Sequence, residues 1–497
     1  MFELSNLSGA FLDLFAIDSI IAILLGCSIG VVIGALPGCT ATMALAVTIP
    51  LTFWFPADVS LLLLIAIYNS AIFGGSISAI ILNIPGTPAS AATCWDGNYL
   101  ARRGQGGKAL TVAIISSVYG GLLSGFALLF FAPALASLAL KFGPLESALI
   151  ALFGMTMVSL LASDNLAKGL LMAAFGMFLG CFGADPGTGA ARLTFGFLHL
   201  YSGFSLTPLL VGVFSIPEVI KMFKGTGWSH FDWDPKSSFK VTWKEIKSLK
   251  KSISIGSLIG IIIGLIPAVG PETATFVAYA QAKKVSDKPD LFGKGSLEGI
   301  SASESANNAV VGSSLAPMFA LGIPGSGAAM VLMGGLMIHG LAPGPKLFLD
   351  EQMMMMTCFM GDILAVVVML GVGLIAAKLA PVILKVPHYF LGPIILVISM
   401  AGAFAVNNSM FDLGVMVISG IFAYFLNEAG FSSSPLVLGL MLGPMFETYM
   451  TRAITISAKN GFLQYVLHRP IAISIVVVIM ITMFLPRLLR FFPINSR

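Results

Sequence analysis

Charge is what this sequence has least of. Asp, Glu, Lys and Arg make up 10% of 497 residues, and hydrophobic residues make up 57%. A soluble chain carries about 25% charged residues. So few charges cannot solvate a protein surface, and the mean hydropathy of +0.95 agrees. Lipid must cover much of the molecule, which excludes a soluble enzyme, a nucleic-acid binder and a disordered scaffold. Cysteine is also sparse. Cys27, Cys39, Cys94, Cys181 and Cys358 lie scattered in or beside apolar runs. An odd count without paired spacing argues against a disulfide framework or a thiolate metal site. The first 18 residues hold Glu3, Asp13 and Asp18 but no Lys or Arg, so they lack the basic start of a cleaved signal peptide. The first apolar run therefore reads as a retained span. Nucleotide and hydrolase signatures are missing too. Gly107-Lys108 suggests a phosphate loop, but Arg102 and Ala109 occupy its two key positions. HExxH is absent, and the one GxSxG string, Gly26-Cys27-Ser28-Ile29-Gly30, lies inside an apolar run rather than at a strand-to-helix turn, which argues against a membrane enzyme.

Apolar runs fill most of the chain. They are Ser19–Leu36, Leu61–Leu82, Leu110–Leu140, Leu145–Ala162, Leu166–Phe182, Leu206–Ile220, Ile253–Ile266, Ala328–Leu341, Met353–Ala377, Tyr389–Val406, Leu413–Leu426 and Ile471–Leu485. A helix that spans lipid needs about 20 residues, and several of these runs are shorter. With 54 glycines and 26 prolines as breaks, the expected fold is an all-α polytopic membrane protein. It should have about 12–14 membrane segments, some broken or re-entrant.

An internal repeat divides the chain. Gly34-Ala35-Leu36-Pro37 matches Gly264-Leu265-Ile266-Pro267 at an offset of 230 residues. Leu82–Thr87 (LNIPGT) matches Leu321–Ser326 (LGIPGS) at an offset of 239, which also pairs Asn69 with Asn308. Pro208-Leu209, Gly212 and Pro217 match Pro435-Leu436, Gly439 and Pro444. The expected organisation is a first transmembrane repeat (1–220), a basic linker (221–252), a second repeat (253–469) and an extra span with a basic tail (470–497). Basic loops fall in non-equivalent places. Arg102, Arg103 and Lys108 follow the first Pro-Gly box, whereas Lys283, Lys284, Lys288 and Lys294 follow the Pro267 box. Short basic loops stay cytoplasmic, so the two halves are expected in opposite orientations. Arg452, Lys459 and Arg469 are in tension with that scheme, which would leave them outside.

Polar residues inside apolar sequence mark the candidate site. Tyr68–Asp96 contains Asn69, Asn83, Pro85-Gly86-Thr87 and Ser90. Pro85 and Pro324 break helices, and Gly86 and Gly325 permit sharp turns. A new half-helix can begin at Thr87 or Ser326, with amides that favour an anion. Carbonyl, Asn, Ser and Thr oxygens at such breaks suit a hard cation such as sodium. In Ser301–Ser326, Glu304 beside Asn307 and Asn308 is a candidate for binding a coupling cation or proton. Ser301 and Glu304 also have capping-box spacing, the structural alternative. The candidates are thus Pro37, Gly38, Pro85, Gly86, Thr87, Ser90, Pro324, Gly325 and Ser326 for substrate. Asn69, Asn83, Glu304, Asn307 and Asn308 are the candidates for a coupling ion. Arg192, after the turn Pro186–Gly189, could attract a carboxylate but reads better as a loop-surface residue. Asp164, Asp185, Glu218 and Glu272 read mainly as loop or helix-end charges.

These boxes resemble the large membrane subunit of tripartite tricarboxylate transporters. The carrying residues are GALPG (Gly34–Gly38), FGGSISAIILNIPGTPASAAT (Phe73–Thr93), Asp96-Gly97, FGKGSLEGISASESANNA (Phe292–Ala309), LGIPGS (Leu321–Ser326) and GLAPGP (Gly340–Pro345). The chain departs from the family's pattern at Cys39-Thr40 and at Pro267-Ala268, where the family usually has glycine. The resemblance implies a symporter of the bacterial inner membrane. It implies a small membrane subunit and a periplasmic solute-binding protein as partners. The binding protein would deliver an organic carboxylate such as a tricarboxylate, driven by a sodium or proton gradient and without a bound cofactor. The alternative that the residues leave open is a passive anion channel or pore.

Overall fold

The computed structural model describes residues 4–161, 165–185, 188–224, 238–384, 388–458 and 461–491. Asp164, Pro186-Gly187, the centre of the basic linker, Lys459 and the end of the basic tail lie outside them. In the first half the helices are α1 (Leu4–Leu14), α2 (Ile17–Ala35), α3 (Ala41–Thr48), α4 (Ala57–Leu82), α5 (Ala91–Leu100), α6 (Gly106–Ala139), α7 (Pro144–Leu161), α8 (Leu166–Gly180) and α9 (Leu206–Lys224). The linker forms α10 (Trp243–Ser248). The second half holds α11 (Lys250–Leu265), α12 (Gly270–Val285), α13 (Leu297–Leu321), α14 (Gly327–Ile338), α15 (Leu347–Asp350), α16 (Gln352–Ile383), α17 (His388–Asn407), α18 (Met410–Glu428), α19 (Ser433–Ser457), α20 (Phe462–Leu467) and α21 (Pro470–Phe491). A two-stranded ribbon, Gly183–Ala184 with Ala191–Arg192, is the sheet among the described residues. Among the described residues six helical segments are long and apolar enough to cross a membrane, and shorter apolar helices accompany them. The protein is an all-α polytopic membrane protein.

Each of the twelve apolar runs coincides with a helix. Two long helices fall outside that set, α13 and α19. α13 opens Leu297-Glu298-Gly299-Ile300 and continues through SASESANN, yet from Gly299 to Ala320 every residue is buried. A helix sheathed by other helices needs no apolar exterior, so hydropathy does not reveal it. Its N-cap is Ser296, whose hydroxyl accepts from the Gly299 amide at 3.1 Å. Ser301 and Glu304 lie within the helix, which corrects the capping-box alternative.

Glycine sets the spacing of the innermost helices. A Cβ on Gly26, Gly30 or Gly34 of α2 would lie 2.6, 2.6 or 2.2 Å from the carbonyl oxygens of Leu63, Ile67 and Ala71 on α4. On α11, Gly256 and Gly260 stand equally close to the carbonyls of Ala302 and Ala306 on α13, and Gly264 faces Ser313. The two glycine ladders match at the 230-residue offset, GxxxGxxxG in each case. Backbones approach this closely only where side chains are absent. In both ladders residue numbers rise together, so α2 runs parallel to α4 and α11 parallel to α13.

Other pairings cross between the halves. Gly120 of α6 seats on Ser305 O of α13, and Gly361 of α16 seats on Leu62 of α4. Gly176 of α8 meets Leu436 O of α19, and Gly212 of α9 meets Met416 O of α18. On α6 and α16 the contacts are Ile114–Gly373, Gly121–Val366 and Gly125–Ile363, so those helices are antiparallel.

The C-terminal part of the basic linker is docked. Phe239 O accepts from Thr111 Oγ1 at 3.0 Å, and Glu245 pairs with Lys108. That ion pair, with help from Thr242, holds the Glu245 carboxyl down to about 2. Arg469, one of the cations in tension with the orientation scheme, pairs with the buried Glu146 at 2.8 Å.

Candidate functional site

The two polar boxes meet where α4 crosses α13. Along α4, Tyr68 meets Ser314, Asn69 meets Asn308 and Ser76 meets Glu304. Numbers rise on one helix and fall on the other, so the crossing is antiparallel. Asn69 and Asn308, equivalent at the 239-residue offset, contact each other: Asn308 Nδ2 donates to the Asn69 carbonyl at 3.0 Å.

The helix breaks repeat with the same geometry. α4 ends on Asn83 with φ 60°, and α13 ends on Gly322 with φ 73°. Both are left-handed caps, a conformation that selects Gly or Asn. This accounts for Asn83, which is exposed. Gly86 then packs on Gly34 O and Gly75, and Gly325 packs on Gly264 O and Ser314, so the two boxes of each half touch. The Gly86 amide is already engaged, donating to Gly75 O at 3.1 Å. Ser90 Oγ donates to Gly75 O at 3.0 Å. Ser326 caps α14 by accepting from the Ala329 amide.

Pro37-Gly38 and Pro267-Ala268 also share a conformation, with φ 83° at Gly38 and 65° at Ala268. The Ala268 amide donates to Pro324 O at 3.3 Å. An L-residue in this region costs about 1–2 kcal/mol relative to glycine. Ala268→Gly is expected to stabilise the chain by about 1 kcal/mol, part of the relief being offset by glycine's entropy. Thermal unfolding of the solubilised chain checks it, and an unchanged or lower midpoint would contradict it.

Glu304 is fully buried at the crossing. Ser76 Oγ donates to its Oε1 at 2.6 Å, Thr93 donates to the same oxygen, and Ser117 Oγ donates to Oε2 at 3.1 Å. All three donors come from the first half, on α4, α5 and α6, so a second-half carboxylate is held by first-half hydroxyls. No Lys, Arg or His is ion-paired with Glu304 among the described residues.

Equivalent positions are satisfied differently. The Tyr68 hydroxyl is 2.6 Å from Ser326 Oγ. The 239-residue offset maps this pair onto Asn307 and Thr87. Both are buried, yet Asn307 Nδ2 and Oδ1 and Thr87 Oγ1 have no protein partner. Buried polar groups are nearly always hydrogen-bonded, so these atoms stand out among the described residues.

A second carboxylate escaped the sequence reading. Asp362 of α16 is fully buried, and its Oδ1 accepts from Asn69 Nδ2 at 2.7 Å. It lies within the apolar run Met353–Ala377. The signal was available: Asp362 is the single charged residue between Glu351 and Lys378, and an acid at membrane depth is a functional marker. A polar cleft of about 190 Å³, lined by Thr40, Thr42, Glu218, Asn427, Ser432 and Ser434, is also new. Thr42 Oγ1 lies 3.5 Å from a Cβ built on Gly327, at the start of α14. The cleft thus adjoins the Pro324–Ser326 turn.

The terminal nitrogens of Arg192 are held by acids. Arg192 forms a fork to Glu447, with Nη2 to Oε2 at 3.1 Å, and pairs with Asp185 at 3.0 Å. Pro37 is half-buried and Gly38 exposed, whereas Pro324, Gly325 and Ser326 are buried.

Comparison with known proteins gives a consistent result. Residues 20–438 match the tripartite tricarboxylate transporter TctA family. The chain is similar to an uncharacterized 52.8 kDa protein of the TAR-I ttuC' 3' region of Agrobacterium vitis. The two are 32% identical over 479 residues, 96% of this chain and 94% of the relative. An uncharacterized protein of the TAR-II ttuC' 3' region of the same organism is 32% identical over 220 residues, 44% of this chain and 88% of the relative. No solved structure matches.

Proposed function

Since the chain belongs to the tripartite tricarboxylate transporter TctA family and is thus a membrane-embedded transporter subunit, we propose that it is the translocating subunit of an ion-coupled importer of small organic carboxylates. A sodium or proton gradient drives uptake. A periplasmic binding protein delivers the carboxylate across the bacterial inner membrane, and a small membrane subunit completes the assembly.

The observation that carries this reading is the antiparallel α4–α13 crossing between two broken helices. Equivalent helices that run antiparallel support two repeats of inverted topology, with boundaries near 1–220 and 253–469. In such a fold the site sits at the repeat interface near the bilayer midplane. Carboxylate oxygens are received by Asn307 Nδ2 and Thr87 Oγ1 beside Pro85-Gly86, and on the other side by the Pro324–Ser326 turn. The polar cleft at Thr40 and Ser434 leads toward that turn. Glu304 ties the halves together and senses their relative position. Rocking of one half about the crossing exposes the site alternately, which separates a carrier from an open pore.

The test is uptake of labelled citrate, as a representative tricarboxylate, into proteoliposomes holding the assembled subunits and binding protein. Uptake is expected to accumulate citrate above its external level only under an imposed sodium or proton gradient. Equilibration without accumulation would replace the carrier with a pore.

A further inference from the structure

Three oxygens at the crossing remain unmatched. Asp362 Oδ2, Asn69 Oδ1 and Asn308 Oδ1 are buried and have no protein partner. They come from three helices, α16, α4 and α13. The amide orientations are fixed by chemistry. Asn69 Nδ2 donates to Asp362 Oδ1 at 2.7 Å and to Ile65 O at 3.2 Å, both pure acceptors. Asn308 Nδ2 donates to Asn69 O at 3.0 Å. The free atom of each amide is therefore the carbonyl oxygen.

The two buried acids thus differ. Glu304 has hydroxyl donors on both oxygens. Asp362 has one donor on Oδ1 and none on Oδ2, and no basic residue is ion-paired with it among the described residues. Oδ2 packs between Gly125 of α6 and Gly312 of α13. A Cβ on Gly125 would lie 3.1 Å from it, and one on Gly312 would lie 2.7 Å away. A proton on Asp362 would serve one of the three oxygens. A hard cation takes several oxygen ligands and also cancels the buried charge.

We propose that Asp362, Asn69 and Asn308 form a binding site for one sodium-class alkali cation at the axis between the two halves. The assignment deepens the ion-coupled reading above and rests on it for its physiological role. Because the ligands come from both halves, the ion is bound only when α4, α13 and α16 are aligned. Release accompanies their displacement.

The test is equilibrium binding of radiolabelled sodium to the full-length chain in nanodiscs, at constant pH and ionic strength held with choline chloride, without carboxylate or partners. The expected result is one saturable site per chain in the wild type. Asp362→Asn is expected to weaken it by about 100-fold or more, because loss of even an outer-shell partner costs about 10- to 100-fold. In that background Asn308→Asp is expected to recover part of the affinity, since it returns a carboxylate to the same cluster. Absence of saturable sodium binding in the wild type overturns the proposal, whatever the variants do. Wild-type affinity in folded Asp362→Asn also overturns it. In both cases gradient-driven citrate uptake would leave the carboxylate-importer reading standing. Asp362-dependent sodium binding without citrate uptake would do the reverse.

Discussion

Gly30→Val is expected to destabilise the folded chain severely. The Cβ alone would stand 2.6 Å from Ile67 O and 3.0 Å from Ala71 N and Ile67 Cα, all backbone atoms of α4. No rotamer relieves a clash with backbone, so α2 must separate from α4. Overpacking a tight core costs about 1–3 kcal/mol and sometimes more. Here the displaced helix carries two further close glycines, so a loss of about 3 kcal/mol or more is expected. Gly260→Val, its counterpart on α11, should behave alike, since its Cβ would stand 2.5 Å from Ala306 O. Gly371 provides the control: it is exposed on α16 with nothing within 4 Å of a Cβ. Gly371→Val should express and elute as the wild type does. Size-exclusion chromatography of the solubilised chain reads all three. A monodisperse Gly30→Val peak of wild-type stability would refute the ladder.

Glu304→Ala carries the second large effect, on transport. The carboxylate accepts from hydroxyls of α4, α5 and α6 and so joins α13 to three first-half helices. Hydrogen bonds to a charged group contribute about 1.5–3 kcal/mol each. Their loss leaves Ser76, Thr93 and Ser117 to find local carbonyls, and the register of the two halves loosens. Citrate uptake by the reconstituted assembly is expected to fall about 10-fold or more at equal chain content, since about 1.4 kcal/mol of lost coupling is a factor of ten. Glu304→Gln keeps an acceptor oxygen and should lose less. Equal uptake by wild type and Glu304→Ala would remove Glu304 from the transport machinery.

The architecture was largely legible in the sequence because lipid-facing helices must be apolar, and the repeated Pro-Gly boxes break helices wherever they occur. Legibility failed where burial is complete. α13 is sheathed by α4, α6 and α11, so its Ser and Asn residues resemble a loop more than a span. Asp362 was hidden for the opposite reason, as one carboxylate among methionines and valines. The glycine ladders Gly26-Gly30-Gly34 and Gly256-Gly260-Gly264 were present at the same offset as the proline boxes. Their meaning emerges once α2 is seen against α4. Asn308 meets the Asn69 backbone and Glu304 meets Ser76 across the crossing, whereas the Asn307 side chain makes no hydrogen bond to protein. Asn83 does not join them, because a left-handed cap accounts for that residue type. Asp362 carried a local signal as a lone acid in an apolar run, but its pairing with Asn69, like that of Ser117 with Glu304, depends on tertiary packing that no local pattern encodes.

The central claim is that the carboxylate is carried at the α4–α13 crossing. The most direct measurement is a density map of the assembled transporter with citrate and sodium bound. Citrate density is expected between the Pro85–Thr87 and Pro324–Ser326 turns, within hydrogen-bonding distance of Asn307. Citrate bound elsewhere, with side chains alone filling the crossing, would contradict it.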